Sequence, residues 1–180
     1  MTGLLTKTVF VAALEKEIQR SERSSHPFAL ILLDVDHLAD INATHGYGTG
    51  DRVLERIGFL VRSYFREQDW VARSSDDTFA VLLPETHPKH AEHLADQVRI
   101  TIEQRLELHD DRLGQPRPVT VSVGVLIAQS VDQTVRPQQL LMDAREAVDR
   151  AKRSGRNRVE MIDATVLRLS PPSRASQPLG

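Results

Sequence analysis

Pro27 to Val35 reads PFALILLDV, apolar at every position until Asp34. A strand with one wet face alternates apolar and polar residues, whereas an unbroken apolar run marks a strand covered on both faces. Such a strand belongs at the centre of a sheet, and the rest of the chain must supply a layer on each side of it. The run ends in Asp34 and Asp36, and carboxylates at the carboxyl end of a central strand lie where open α/β sheets place ligands. The competing reading is that one of them caps the next helix.

The covering layers are visible as amphipathic helices. Phe10, Leu14 and Ile18 recur at four-residue spacing between Thr8 and Ser21. After a polar, glycine-containing segment expected to hold a short helix and then a loop, Thr49 is a candidate N-cap for a helix carrying Val53, Ile57, Leu60, Val61 and Tyr64 on one face. A further helix spans Pro88 to Arg105, with Ala91, Leu94, Ala95, Val98 and Ile102 on its core side. The last begins at Pro137, runs through Lys152 and Arg153, and is expected to stop with Gly155 as its C-cap. Between helices, Trp70–Arg73 and Phe79–Leu83 read as a hairpin, Val119–Ala128 as a strand and RVEMI as a short final strand. HDDRLGQPRP reads as a loop. Hairpin and helical crossovers together predict an α/β (α+β) fold with a central mixed sheet surrounded by helices. One domain over residues 1–165 is expected, followed by a polar, Pro-rich tail over 166–180 expected to be disordered.

Composition narrows the function classes. A net charge of -2 gives no electrostatic footprint for nucleic acid or an anionic membrane, and no apolar run is long enough to span a bilayer. The absence of cysteine excludes disulfides and thiol chemistry, and the cytoplasm is the default location.

The polar groups fall into clusters, each with a plain structural reading beside the functional one. SSDDT, at the hairpin tip, is either turn chemistry or a metal-holding pair of acids. If the hairpin neighbours the central strand, Asp77 approaches Asp34 and the two form a hard-oxygen site suited to Mg²⁺ with phosphates. Lys152, Arg153, Arg156 and Arg158 either complement a helix C-terminus or bind phosphate. Arg66 and Asp69 are either a local ion pair or part of a ligand site. The histidines show no metal-ligand spacing.

Taken together, these pieces resemble the GGDEF domain, the diguanylate cyclase family, whose members join two GTP molecules into cyclic di-GMP. TGLLTK, LLDVDHLADINATHGYGTGD, VTVSVGV and AREAVDRAKRSGRNRV stand in the family's order and spacing, from Met1 to about Ile162. The resemblance implies a five-stranded mixed sheet like the palm of nucleotidyl cyclases and polymerases. It implies Asp34 and Asp77 as Mg²⁺ ligands, Asn42 and Asp51 at the guanine edge, and Lys152 and Arg156 on the terminal phosphates.

Where the family has G-G-D-E-F, this chain has Ser75, Asp76, Asp77, Thr78 and Phe79. The glycines give the family's hairpin a sharp turn and leave room for phosphates. Asp76 adds a carboxylate there; two unit charges ~4 Å apart repel by about 4 kcal/mol at an effective dielectric of ~20, roughly a thousandfold in affinity. Thr78 removes an acid beside the metal ligand. Little or no cyclase activity is expected, and these site residues are read as vestigial.

A second family feature is retained. REQD, Arg66 to Asp69, matches the R-x-x-D inhibitory site, with Asp69 six positions before Ser75. A guanidinium suits phosphate or the guanine Hoogsteen edge, and a carboxylate accepts from guanine N–H groups. Gln97 stands where the family often supplies another arginine, with Arg99 as a substitute. The resemblance therefore implies a cyclic di-GMP receptor module that needs no cofactor, with Mg²⁺ entering only if GTP binds. Residual cyclase activity and a GTP-sensing or protein-interaction scaffold are the alternatives. An upstream sensory or receiver domain, and a monomer that ligand bridges into a dimer, complete the expectation.

Overall fold

The computed structural model describes residues 3–110, 115–129 and 134–164, so the expected tail lies outside the described residues. In chain order the elements are α1 (Lys7–Ser24), β1 (Phe28–Val35), α2 (Leu38–His45), α3 (Tyr47–Tyr64), β2 (Trp70–Arg73) and β3 (Thr78–Leu83). There follow α4 (Pro88–Arg105), β4 (Glu107–Asp110), β5 (Gln115–Pro118), β6 (Val121–Ala128), α5 (Pro137–Arg153) and β7 (Val159–Asp163).

Five strands form one sheet in the order β2-β3-β1-β6-β7. β1 lies at its centre, antiparallel to both β3 and β6, while β6 and β7 run parallel. The sheet is therefore mixed, as expected. All eight residues of β1 are buried. Its alternate side chains divide between two cores: Ala29, Ile31, Leu33 and Val35 join Val53, Ile57 and Val61 of α3 and Ala95, Val98 and Ile102 of α4. Phe28, Leu30 and Leu32 join Phe10, Leu14 and Ile18 of α1 and Leu140, Ala144 and Val148 of α5. Each of the larger side chains among them is worth about 1.5–3 kcal/mol of burial, which is why the run cannot alternate.

This parity directs the chemistry. Asp34 continues the Leu30, Leu32 series and Thr78 the Leu82, Ala80 series, so both face α1 and α5. Gly124 of β6 brings α5 onto that face. A Cβ there would stand 2.5 Å from Ala144 O and 2.6 Å from Val148 N, contacts that no side chain accommodates. Arg145 follows Ala144 directly.

Three local expectations are corrected. HDDRLGQPRP is not simply a loop, because β4 and β5 pair as a separate antiparallel ribbon. Pro116 and Pro118 disguise it, since proline withholds a ladder donor and is tolerated only at edges. Thr49 is not an N-cap: α3 begins at Tyr47 behind Gly46, whose φ of 81° turns the chain straight from α2. Thr49 lies in the first turn and donates to His45 O at 3.0 Å. The C-cap of α5 is Ser154, with Gly155 following it at φ 113°. No helix among the described residues is long and apolar enough to cross a membrane.

Candidate functional site

The hairpin does neighbour β1, with Asp34 paired in register to Thr78. Asp77 comes close enough for its charge to disfavour ionisation of Asp34. The two acids expected to meet are thus brought together. Asp34 has no exposed surface, and α5 supplies its partners. Lys152 Nζ lies 2.5 Å from Oδ1, a close ion pair rather than a hydrogen bond of regular geometry, and Arg145 Nη1 lies 2.9 Å from Oδ2. Arg145 also donates to Thr78 Oγ1 at 2.8 Å. The single Thr78 hydroxyl proton serves either Asp34 Oδ2 at 3.3 Å or Asp77 Oδ1 at 3.1 Å.

The hairpin tip closes without glycine. Ser74 and Ser75 N–H groups reach Thr78 O at 2.8 and 3.3 Å, and no residue from Ser74 to Asp77 has a positive φ. Arg73 donates to the carbonyls of Ser75 and Asp76, and Ser75 Oγ to Asp77 Oδ1. The turn is therefore unstrained with serines and aspartates in it, and Asp76 is exposed at its tip. Phe79 is a core residue against Gly58.

Asp36 does not cap a helix. It is buried and accepts from Thr120 Oγ1 (2.8 Å), Ser122 Oγ (2.7 Å) and Asn157 N (3.2 Å). It thereby pins the turn after α5, where Arg156 and Asn157 hold positive φ of 62° and 45°. Arg156 is exposed on a cavity of about 360 Å³ shared with Arg117 and His37 of the β4–β5 and α2 walls, while Lys152 turns to Asp34. Asn42 presses over Gly50, next to the exposed Asp51, and its buried Oδ1 meets no partner among the described residues.

The REQD segment forms a closed turn. Asp69 N–H donates to Arg66 O at 3.1 Å, and Asp69 Oδ2 accepts from Arg66 N at 2.9 Å. The Arg62 guanidinium braces the turn from below by donating to the carbonyls of Asp69, Phe65 and Arg66. No contact ion pair forms: Asp69 holds the backbone of Arg66, and the exposed Arg66 guanidinium, whose charge favours the Asp69 carboxylate, makes no hydrogen bond or contact ion pair with a described residue. Arg99 is not part of this turn, contrary to expectation. It is bound to Asp96 (2.8 Å), Glu103 (3.1 Å) and Asn157 (2.7 Å), and so is drawn toward β7, the opposite edge from β2.

The sequence profile of the family described as "Diguanylate cyclase, GGDEF domain" matches residues 1–158. The chain belongs to the GGDEF family. Diguanylate cyclase DgcP of Pseudomonas aeruginosa is 32% identical over 161 residues, 89% of this chain and 23% of that protein. Diguanylate cyclase SiaD of Pseudomonas aeruginosa, solved with its activator SiaC, superposes with a TM-score of 0.79 at 32% identity, covering 89% of this chain and 60% of SiaD. A microbial GGDEF domain solved in its interaction with cyclic di-GMP gives a TM-score of 0.72 at 26% identity, over 89% of this chain and 95% of that one. The chain thus spans well under half of DgcP and less than two thirds of SiaD.

Within this GGDEF domain, burial raises the carboxyl of Asp34 above the ordinary range, against the pull of Lys152 and Arg145. Burial likewise raises Asp69 and Glu17. A raised acid keeps its proton to higher pH in the folded chain than in the unfolded one. Folding therefore takes up protons between the ordinary carboxylate value and the raised one, and stability falls as pH rises through that window. We expect Tm to fall as pH rises from the ordinary carboxylate range, with a shallower slope in Asp34→Asn. Equal slopes in thermal melts of the two proteins would exclude Asp34 as a source.

Arg145 is a residue of this cluster that the sequence reading missed. Its signal was the seven-residue spacing to Lys152, two helical turns on one face of α5.

Proposed function

We propose that this GGDEF domain is a cyclic di-GMP receptor that has lost cyclase activity. The observation that carries the reading is the REQD turn. Its backbone is closed on itself and braced by Arg62, while the exposed Arg66 guanidinium makes no hydrogen bond or contact ion pair with a described residue. A preorganised turn with an uncommitted fork presents donors to phosphate or a guanine Hoogsteen edge without breaking an existing bond. Against the burial that raises Asp69, the charges of Arg66 and Arg62 favour its carboxylate, which accepts from guanine N–H groups. The relative at 26% identity solved with cyclic di-GMP supports the ligand class.

The altered hairpin supports the loss of turnover. Asp76 places a carboxylate beside the phosphate space, and Thr78 hydrogen-bonds to the acids instead of adding another. No cofactor is needed for this function. An upstream sensory or receiver domain, and ligand-bridged pairing of otherwise monomeric chains, belong to the same reading.

Calorimetric titration of cyclic di-GMP into the purified chain, with chromatography of GTP and Mg²⁺ incubations, tests it. Saturable binding with no cyclic di-GMP formed is the expected result. Product formation abolished by Asp34→Ala would replace the receptor with a slow cyclase. Heat with GTP alone would favour a GTP sensor, and silence with both would leave a scaffold.

A further inference from the structure

The family resemblance implies Mg²⁺ between Asp34 and Asp77, and the residues of this chain do not fit it. Mg²⁺ needs near-octahedral oxygen ligands at about 2.0–2.1 Å and keeps several waters. Both oxygens of Asp34 are instead engaged by cations carried on α5, Lys152 at 2.5 Å and Arg145 at 2.9 Å. The Thr78 hydroxyl closes the remaining approach, held in place by the same Arg145. The charges also balance without a metal. Asp34 and Asp77 face Lys152 and Arg145, two negative groups against two positive ones. Adding a divalent ion would leave an excess of positive charge beside a carboxylate with no access to solvent.

We propose that Arg145, with Lys152, is a tethered replacement for the divalent cation of this site. The helix that carries them is fixed by the close approach of α5 to Gly124, so both side chains are delivered to Asp34 as the domain folds. Arg145 is the decisive one, because it alone holds both Asp34 and Thr78. Its side chain is 42% exposed, so it lies on the open side of the acids, from which a solvated ion would enter. The hairpin tip does not determine this occupancy. Returning glycine at positions 75 and 76 would clear space for phosphates and leave Asp34 paired.

Mn²⁺, whose electron paramagnetic resonance signal falls on binding, is the probe. The native chain should leave Mn²⁺ free at millimolar concentration, indistinguishably from Asp34→Asn. Arg145→Gln, which keeps the shape and removes the charge, should bind Mn²⁺ at least about tenfold more tightly, a gain of roughly 1.4 kcal/mol. Adding Asp34→Asn to that variant should abolish the gain, and Arg145→Lys should stay as silent as the native chain. Native binding that Asp34→Asn removes would overturn the proposal, as would a folded Arg145→Gln with no gain. The native and Asp34→Asn comparison decides the matter even if Arg145→Gln does not fold. Cyclic di-GMP titrations of the same proteins report on the receptor reading separately, since this proposal does not involve Arg66 or Asp69.

Discussion

Arg66→Ala is expected to lower cyclic di-GMP affinity by about 10- to 150-fold, the equivalent of roughly 1.5–3 kcal/mol for hydrogen bonds from a charged donor. The substitution is clean because of how the turn is built. The group that holds Asp69 is the backbone N–H of residue 66, which alanine retains, and the brace comes from Arg62. The side chain removed is exposed and bonded to no described residue, so stability should change by no more than about 0.5 kcal/mol. Loss of affinity with an unchanged melting curve therefore reports the ligand contact alone. Calorimetry showing native affinity in Arg66→Ala would move the binding site away from this turn.

The contrast between Arg66 and Arg99 shows what the sequence could and could not convey. Residues 66 and 69 are close in sequence, and a local turn is enough to bring them together. The fate of Arg99 depends on Asn157, 58 positions away, whose own placement depends on Asp36. The central strand was readable because burial on both faces suppresses alternation, and the meeting of Asp34 with Asp77 followed once the hairpin was placed beside it. The partners of Asp34 were less readable. A cationic residue on a helix has a solvated reading wherever the opposing face is unknown, and the contact of Arg145 with Asp34 depends on the Gly124 approach that sets α5 against β6. The β4–β5 ribbon was hidden for a chemical reason, as its prolines oppose the pairing that the backbone nonetheless makes.

The buried carboxylate makes the second large prediction one of stability. Removing both cations, in Arg145→Ala/Lys152→Ala, leaves Asp34 ionised, unpaired and without exposed surface, which costs about 3–5 kcal/mol at neutral pH. A domain of this size has only about 5–15 kcal/mol in hand, so the variant should unfold at markedly lower denaturant concentration. The opposite deletion is mild. Asp34→Asn leaves Lys152 and Arg145 with 28% and 42% of their side chains exposed, able to turn to water, and should change stability by about 1 kcal/mol or less. Placing Asp34→Asn in the doubly neutral background should then restore most of what was lost, because no buried charge remains. Acidification should do the same in the double variant, and more steeply than in the native chain, since protonation there removes a charge that no cation offsets. Urea titration of the four proteins measures the cycle. If the double variant loses no more than Asp34→Asn does, the carboxylate is already neutral in the native fold and the two cations are not what balances it.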